Sequence, residues 1–182
     1  GKIGLDTNPY HPAIYDRIVF CAHCGYATAE PYEKITNEMI SLIQSEKYKE
    51  VLEKREFDET TKKLLLAGYL AGKCGNNKEA GYDYLLAYWY LLEKELSYAG
   101  KAATKAIKYF EKYLMECMDF DIACIIIDCY RKLGKWSEAK ESIHSLRTYV
   151  KKEEKINLIL DFEEKLIEQK DVWPHFLDEV LR

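Results

Sequence analysis

Cys21 and Cys24, with Ala22 and His23 between them and Gly25 directly after, are the only side chains in this sequence with metal-ligand spacing. A CxxC turn brings two thiolates to one side. A following glycine takes a backbone conformation that lets amide groups face sulfur. That is the shape of a zinc knuckle, and zinc is the cofactor it implies. One knuckle supplies two ligands, whereas a closed structural site needs four. Three readings stay open: half of a ribbon whose other half lies before Gly1, a metal site completed by His11 or by a second chain, or a turn without metal. A thiol-redox pair is the alternative activity. Such a pair sits at the N-terminus of a helix within a βαβ pattern. Here Gly25-Tyr26-Ala27-Thr28 follows, and strands and helices do not alternate.

Other chemistry-bearing residues are weaker. Gly68-x-x-x-Gly72-Lys73 is one residue short of a phosphate-binding loop, and Cys74 stands where a magnesium-binding Ser or Thr would be. It lies within a helical pattern, where both glycines have packing roles. His144 faces outward near the end of a helix, and His175 lies in the last helix; neither has a partner at informative spacing. Glu153-Glu154 and Glu163-Glu164 alternate with lysines and read as solvated faces. No catalytic constellation emerges, so no enzyme is expected.

Residues 1–15 hold two of the four prolines and should be extended or looped. Asp16–Phe20 is β-branched and aromatic and predicts a strand leading into Cys21. Pro31 can start a helix whose stripe is Tyr32, Ile35, Met39, Leu42 and Ile43, and Lys47–Lys54 predicts a second. Asp58 or Thr60 can cap a third. A small-residue stripe, Ala99, Ala102, Ala103 and Ala106, with Phe110 and Tyr113, runs along a long helix over Ser97–Cys117. Glu153–Lys170 predicts another helix. Asp171 can cap a last short one with Trp173, Phe176, Leu177, Val180 and Leu181.

Around two glycines the pattern repeats. Ala123, Ile126, Ile127 and Tyr130 precede Gly134, and Ala139, Ile143 and Leu146 follow it. Leu64, Ala67, Gly68 and Ala71 stand in the same register before Gly75, with Ala80, Tyr84 and Ala87 after it. The Asn76-to-Glu79 spacing resembles a capping box. Such stripes bury their apolar faces against each other and a neighbouring pair, which is the logic of a helical repeat. The two glycines are 134 − 75 = 59 residues apart, so the long middle helix is an insertion or half-repeat.

This register resembles the tetratricopeptide repeat, in Tyr130, Gly134, Ala139 and Leu146 and in Leu64, Gly68, Ala80 and Ala87. A second resemblance rests on Asn8-Pro9, Tyr15-Asp16, then Cys21-x-x-Cys24-Gly25-Tyr26-Ala27, followed by such helices. It is similar to an uncharacterised bacterial family, domain of unknown function 2225. Members of that family usually carry an earlier cysteine pair, which implies a four-cysteine ribbon; here no cysteine precedes Cys21. The family supplies no established activity.

The expected fold is all-α: a short TPR-like antiparallel superhelix (31–182) behind an extended segment (1–30) that carries the knuckle. Its 182 residues suffice for a substantial core. The formal net charge of −4 argues against nucleic acid as the main partner. No apolar run is long enough to span a bilayer. Cys74, Cys117, Cys124 and Cys129 fall in helical patterns and behave as small apolar residues, which favours a reducing, cytoplasmic setting. The expected role is a protein–protein interaction scaffold with a protein or peptide partner. Of 15 tyrosines, those at helical spacing are core or groove lining. The groove candidates are Tyr69, Tyr82, Tyr88, Trp89 and Tyr90, some of which must be core.

Overall fold

The computed structural model describes residues 12–29, 34–151, 153–175 and 177–180. They fall into two compact units, one within His11–Tyr113 and one within Leu114–Arg182. The chain is mostly helical, and the one sheet among the described residues has two strands. The all-α expectation holds, with Cys21 and Cys24 in the N-terminal segment.

The first unit begins with a 3-10 helix, Pro12–Arg17, and an antiparallel hairpin of β1 (Val19–Phe20) and β2 (Ala27–Thr28). Its register pairs Val19 with Thr28 and Phe20 with Ala27. Then come α1 (Asn37–Ile43), α2 (Glu46–Leu52), α3 (Glu59–Lys73), α4 (Asn77–Glu93) and α5 (Ala99–Leu114). The second unit holds α6 (Phe120–Lys132), α7 (Trp136–Arg147), α8 (Glu154–Glu168) and the one-turn α9 (Leu177–Val180).

Local chemistry explains the boundaries. Asp58 accepts the Thr61 amide at 2.8 Å and so caps α3, and Asp119 accepts the Ile122 amide at 3.2 Å to cap α6. Both repeat turns close in one way: Gly75 and Gly134 have φ of +86° and +69°. The next amide returns to a carbonyl five residues back, Asn76 to Ala71 and Lys135 to Tyr130, each at 2.9 Å. The helices α3 and α4 then fold onto each other, as do α6 and α7. In the second unit Ala123, Ile127, Ala139, Ile143 and Leu146 share one core with Val150, Leu160 and Ile167. In the first, Gly68 stands where Ile127 stands, and a Cβ there would lie 3.0 Å from the Tyr84 ring. A small residue faces a large one where the other pair uses two isoleucines.

Some expectations shift. The strand is only Val19–Phe20. Upstream of it, across the end of the stretch expected to be looped and the start of the expected strand, Pro12–Arg17 is a 3-10 helix pinned to α4: Tyr15 donates to Glu93 at 3.0 Å and Arg17 pairs with Glu79. That pairing also removes the capping box, because Asn76 makes no side-chain cap bond and the Glu79 carboxylate is on Arg17. Thr36, not Pro31, caps the first helix; Pro31 and Tyr32 lie outside the described residues. Trp173 stands 73% exposed before the last helix rather than within it, and Phe176 and Leu181 lie outside the described residues.

Candidate metal centre and interaction surface

Residues 21–26 form the hairpin loop. The Cys21 amide donates to the Tyr26 carbonyl at 2.8 Å, and the Gly25 amide donates to the Cys21 carbonyl at 2.7 Å, closing a tight knuckle. Gly25 has φ +76°, a left-handed conformation, and the space for a side chain is taken by Leu52, 2.8 Å from where a Cβ would sit. The backbone amide of Cys24, the Cys24 thiol and the amide of His23 converge on the Cys21 sulfur and hold its thiol below the ordinary value. Amides pointed at sulfur stabilise a thiolate, the form that binds metal.

The knuckle is fastened to the helices by Tyr48 of α2. Its ring is fully buried, and its hydroxyl donates to the Gly25 carbonyl at 2.7 Å while accepting the Ala27 amide. Tyr48 falls within the helix expected over Lys47–Lys54, where nothing in the local sequence distinguishes it from any other apolar helix residue. Its polar end is what ties the cysteine loop to the helical body. Cys24 is exposed and Cys21 half-buried, so both thiols are within reach of solvent. Among the described residues no group of three His, Cys, Asp or Glu side chains gathers at one point. Thiolates are zinc-ligand types, and Cys21 and Cys24 would be two of the four a closed site needs. His11 lies outside the described residues.

The aromatic candidates divide. Tyr88 and Trp89 are buried, at 4% and 5% exposure, and belong to the core of the first unit. Tyr69, Tyr82 and Tyr90 are half-buried. Tyr69 sits edge-on to Tyr48 at 5.9 Å, so it stands next to the residue that clamps the knuckle. On α5, Tyr109 lies near Tyr69 and stacks on Tyr84 at 5.7 Å, in space that Gly72 leaves free. Tyr82 packs edge-on against Phe110 at 5.1 Å, and Tyr90 against Tyr15 at 5.1 Å while donating to Asp58 at 2.6 Å. Only Tyr69 is continuous with the knuckle clamp.

The chain belongs to the bacterial family described as uncharacterized protein conserved in bacteria, domain of unknown function 2225. The match covers residues 7–169, both the knuckle and α1 to α8. No curated protein and no solved structure matches. Membership in domain of unknown function 2225 thus establishes kinship and leaves the activity to be read from the site.

The second unit corrects the solvated-face reading of Glu163. That side chain is buried and accepts the Arg131 Nε at 2.8 Å, and fully buried Arg131 also donates to Asp128 at 2.6 Å. Its other nitrogen reaches the carbonyls of Asp171 and Trp173 at 2.7 and 3.0 Å. Burial, then Asp128, pushes the Glu163 carboxyl up to about 7, with Arg131 only partly offsetting them. The Arg131 charge itself is favoured: burial opposes it, and Asp128 and Glu163 outweigh burial. His175, read as lacking carboxylates at useful spacing, has Asp171 and Glu179 both at 3.1 Å, one turn to either side. Both arrangements organise the C-terminal segment. Gly68 and Gly72 lie inside α3 against Tyr84 and Tyr109, packing positions rather than a phosphate loop.

Among the described residues no helix is long and apolar enough to cross a membrane.

Proposed function

We propose that this protein is a non-enzymatic interaction scaffold of TPR-like type, working in the cytoplasm on a protein or peptide partner. Its N-terminal segment, to about residue 30, carries a structural zinc half-site, and the helices of 31–182 form the scaffold. The observation that carries this reading is the repeated helix pair: α3–α4 and α6–α7 close on the same glycine turn and keep one register of buried contacts. Repeat proteins built from helix pairs of this kind bind peptides or partner helices. Cys21 and Cys24 would supply two thiolates to the zinc, and the remaining ligands come from another segment or a second copy. Tyr69, next to the knuckle clamp, is the first partner-contacting candidate, with Tyr82 and Tyr90 behind it; buried Tyr88 and Trp89 support the surface from beneath.

The test is photocrosslinking in a producing bacterium from a reactive phenylalanine analogue placed at position 69. One recurrent protein adduct, absent when the analogue replaces exposed Lys155 on α8, supports the reading. Equal adducts from both positions would sink it. A metal-dependent or thiol-redox activity is the second reading, and the depressed Cys21 thiol favours it. Turnover of a disulfide substrate that Cys21→Ser/Cys24→Ser abolishes, with the Tyr69 adduct unchanged, would move the assignment there.

A further inference from the structure

The outer face of α5 is a cationic stripe. Lys101, Lys105, Lys108 and Lys112 follow i, i+4, i+7, i+11 and fall within an arc of about 60° on a helix turning 100° per residue. Ala99, Ala102, Ala103, Ala106, Ile107 and Phe110 take the opposite, buried side. Eleven residue steps separate Lys101 from Lys112, so the stripe spans about 16 Å of helix axis.

None of these four lysines forms a salt bridge to a carboxylate among the described residues. Arg17, Lys54, Lys63, Arg131, Lys132 and Arg147 do, whereas other exposed lysines of the described residues, such as Lys47 and Lys155, do not; what sets the α5 lysines apart is their alignment on one helix face. The chain has 31 acidic against 27 basic residues, so carboxylates are not in short supply. The stripe is held by aromatic rings instead. Lys101 lies 5.2 Å over Tyr98, Lys105 4.9 Å over Tyr84, and Lys112 5.3 Å over Tyr109. These contacts restrain the stems and leave the charges unneutralised. Lys105 is half-buried and next to Lys108, a desolvated cation beside a like charge. An anion docking there offsets a cost that the free protein already bears.

We infer that the α5 lysine stripe is the docking surface for an acidic segment of the protein partner, its carboxylates meeting Lys101, Lys105, Lys108 and Lys112 with the Tyr109–Tyr69 edge as its apolar border. The inference rests on the interaction reading above and names the chemistry of its partner. A carboxylate-bearing helix has the matching repeat, since Glu at i, i+4, i+7 and i+11 forms a stripe of the same length. A polyphosphate partner fits less well, because the protein's net charge is −4 and the cationic face is only four residues long.

The experiment uses the whole chain and fluorescence anisotropy of a labelled 20-residue helical peptide with Glu at that spacing. Its counterpart with Gln, an oligo-dT of similar length and phosphatidylserine vesicles serve as comparisons. The Glu peptide is expected to bind, to weaken steeply with added salt, and to lose about tenfold in affinity with Lys108→Glu/Lys112→Glu, two exposed positions. Lys105→Met, which keeps the stem over Tyr84 and removes the desolvated charge, should weaken binding several-fold without lowering Tm. Equal binding of the Gln peptide, an unchanged affinity in the double variant, or tighter binding of oligo-dT or vesicles overturns the inference. If the Tyr69 adduct survives Lys108→Glu/Lys112→Glu, the scaffold reading stands while the stripe assignment falls. Loss of every specific adduct in the unmodified protein removes the scaffold reading itself.

Discussion

At the scale of single residues, the six cysteines are chemically unequal. Cys21 receives the amides of Cys24 and His23 and has its thiol lowered, whereas burial, with Asp121 and Glu163, pushes the Cys124 thiol up to about 12. In chelator-treated protein at pH 7.5, iodoacetamide should therefore modify Cys21 well before Cys124, read by peptide mass spectrometry, and added zinc should slow the Cys21 reaction. Equal rates would contradict the knuckle geometry. Glu163 gives a second residue-scale outcome. Its folded value is raised, so the folded chain holds the proton more tightly than the unfolded chain. The stabilisation is complete below the ordinary glutamate value of 4.5 and is lost as pH rises through about 7. Glu163→Gln removes that dependence, and urea melts at pH 5 and 8 should then differ by on the order of 1–3 kcal/mol less than in the unaltered protein. The reverse trend would mean that Arg131 outweighs burial. Replacing Arg131 itself by Met leaves Asp128 and Glu163 without their shared cation and should cost about 3–5 kcal/mol.

At the scale of elements, four helices end alike: the amides of Asn76, Leu96, Lys135 and Asp171 each return to a carbonyl five residues back. Two of those turns use glycine, and two use Glu95 and Lys170 at φ +55° and +53°. A side chain in that region is strained, so Glu95→Gly and Lys170→Gly should each stabilise the protein by about 0.5–1 kcal/mol. The same change that helps there harms inside α4. A Cβ on Gly81 would lie 2.3 Å from the Phe110 ring, so Gly81→Ala should cost about 1–3 kcal/mol despite the better helix propensity of alanine. Thermal melts decide both, and a stabilising Gly81→Ala would mean that α5 slides freely on α4. Glycine at 75 and 134 was legible because the stripes stop there. Glycine at 81 carried no such signal, since its reason is a ring 29 residues away in sequence.

At the scale of the molecule, the cysteine loop is held on the helical body by Tyr48, and the zinc half-site proposed for it is open to direct measurement. Cobalt(II) titration should give thiolate charge-transfer bands that Cys21→Ser/Cys24→Ser removes. Half an equivalent of metal per chain, with a doubled sedimentation mass, would mark two knuckles sharing one ion; one equivalent with an unchanged mass would place the missing ligands in the same chain. Absence of the bands in the unaltered protein would remove metal from the assignment.

The sequence by itself determined the helical class, the paired turns at Gly75 and Gly134, and the position of the cysteine loop. Each of these is written in local periodicity, in the conformational freedom of glycine or in ligand spacing, none of which depends on distant residues. Only the tertiary structure decided which aromatic residues are buried, that Tyr48 clamps the knuckle, that Glu79 serves Arg17 rather than a helix cap, and that Glu163 lies beneath Arg131. It also decided that, among the described residues, the α5 lysines form no salt bridge. These are properties of pairs far apart in the chain. A charged or aromatic side chain reads the same in sequence whether it meets solvent or a partner, and burial, which shifts its energetics, is set only when the elements pack.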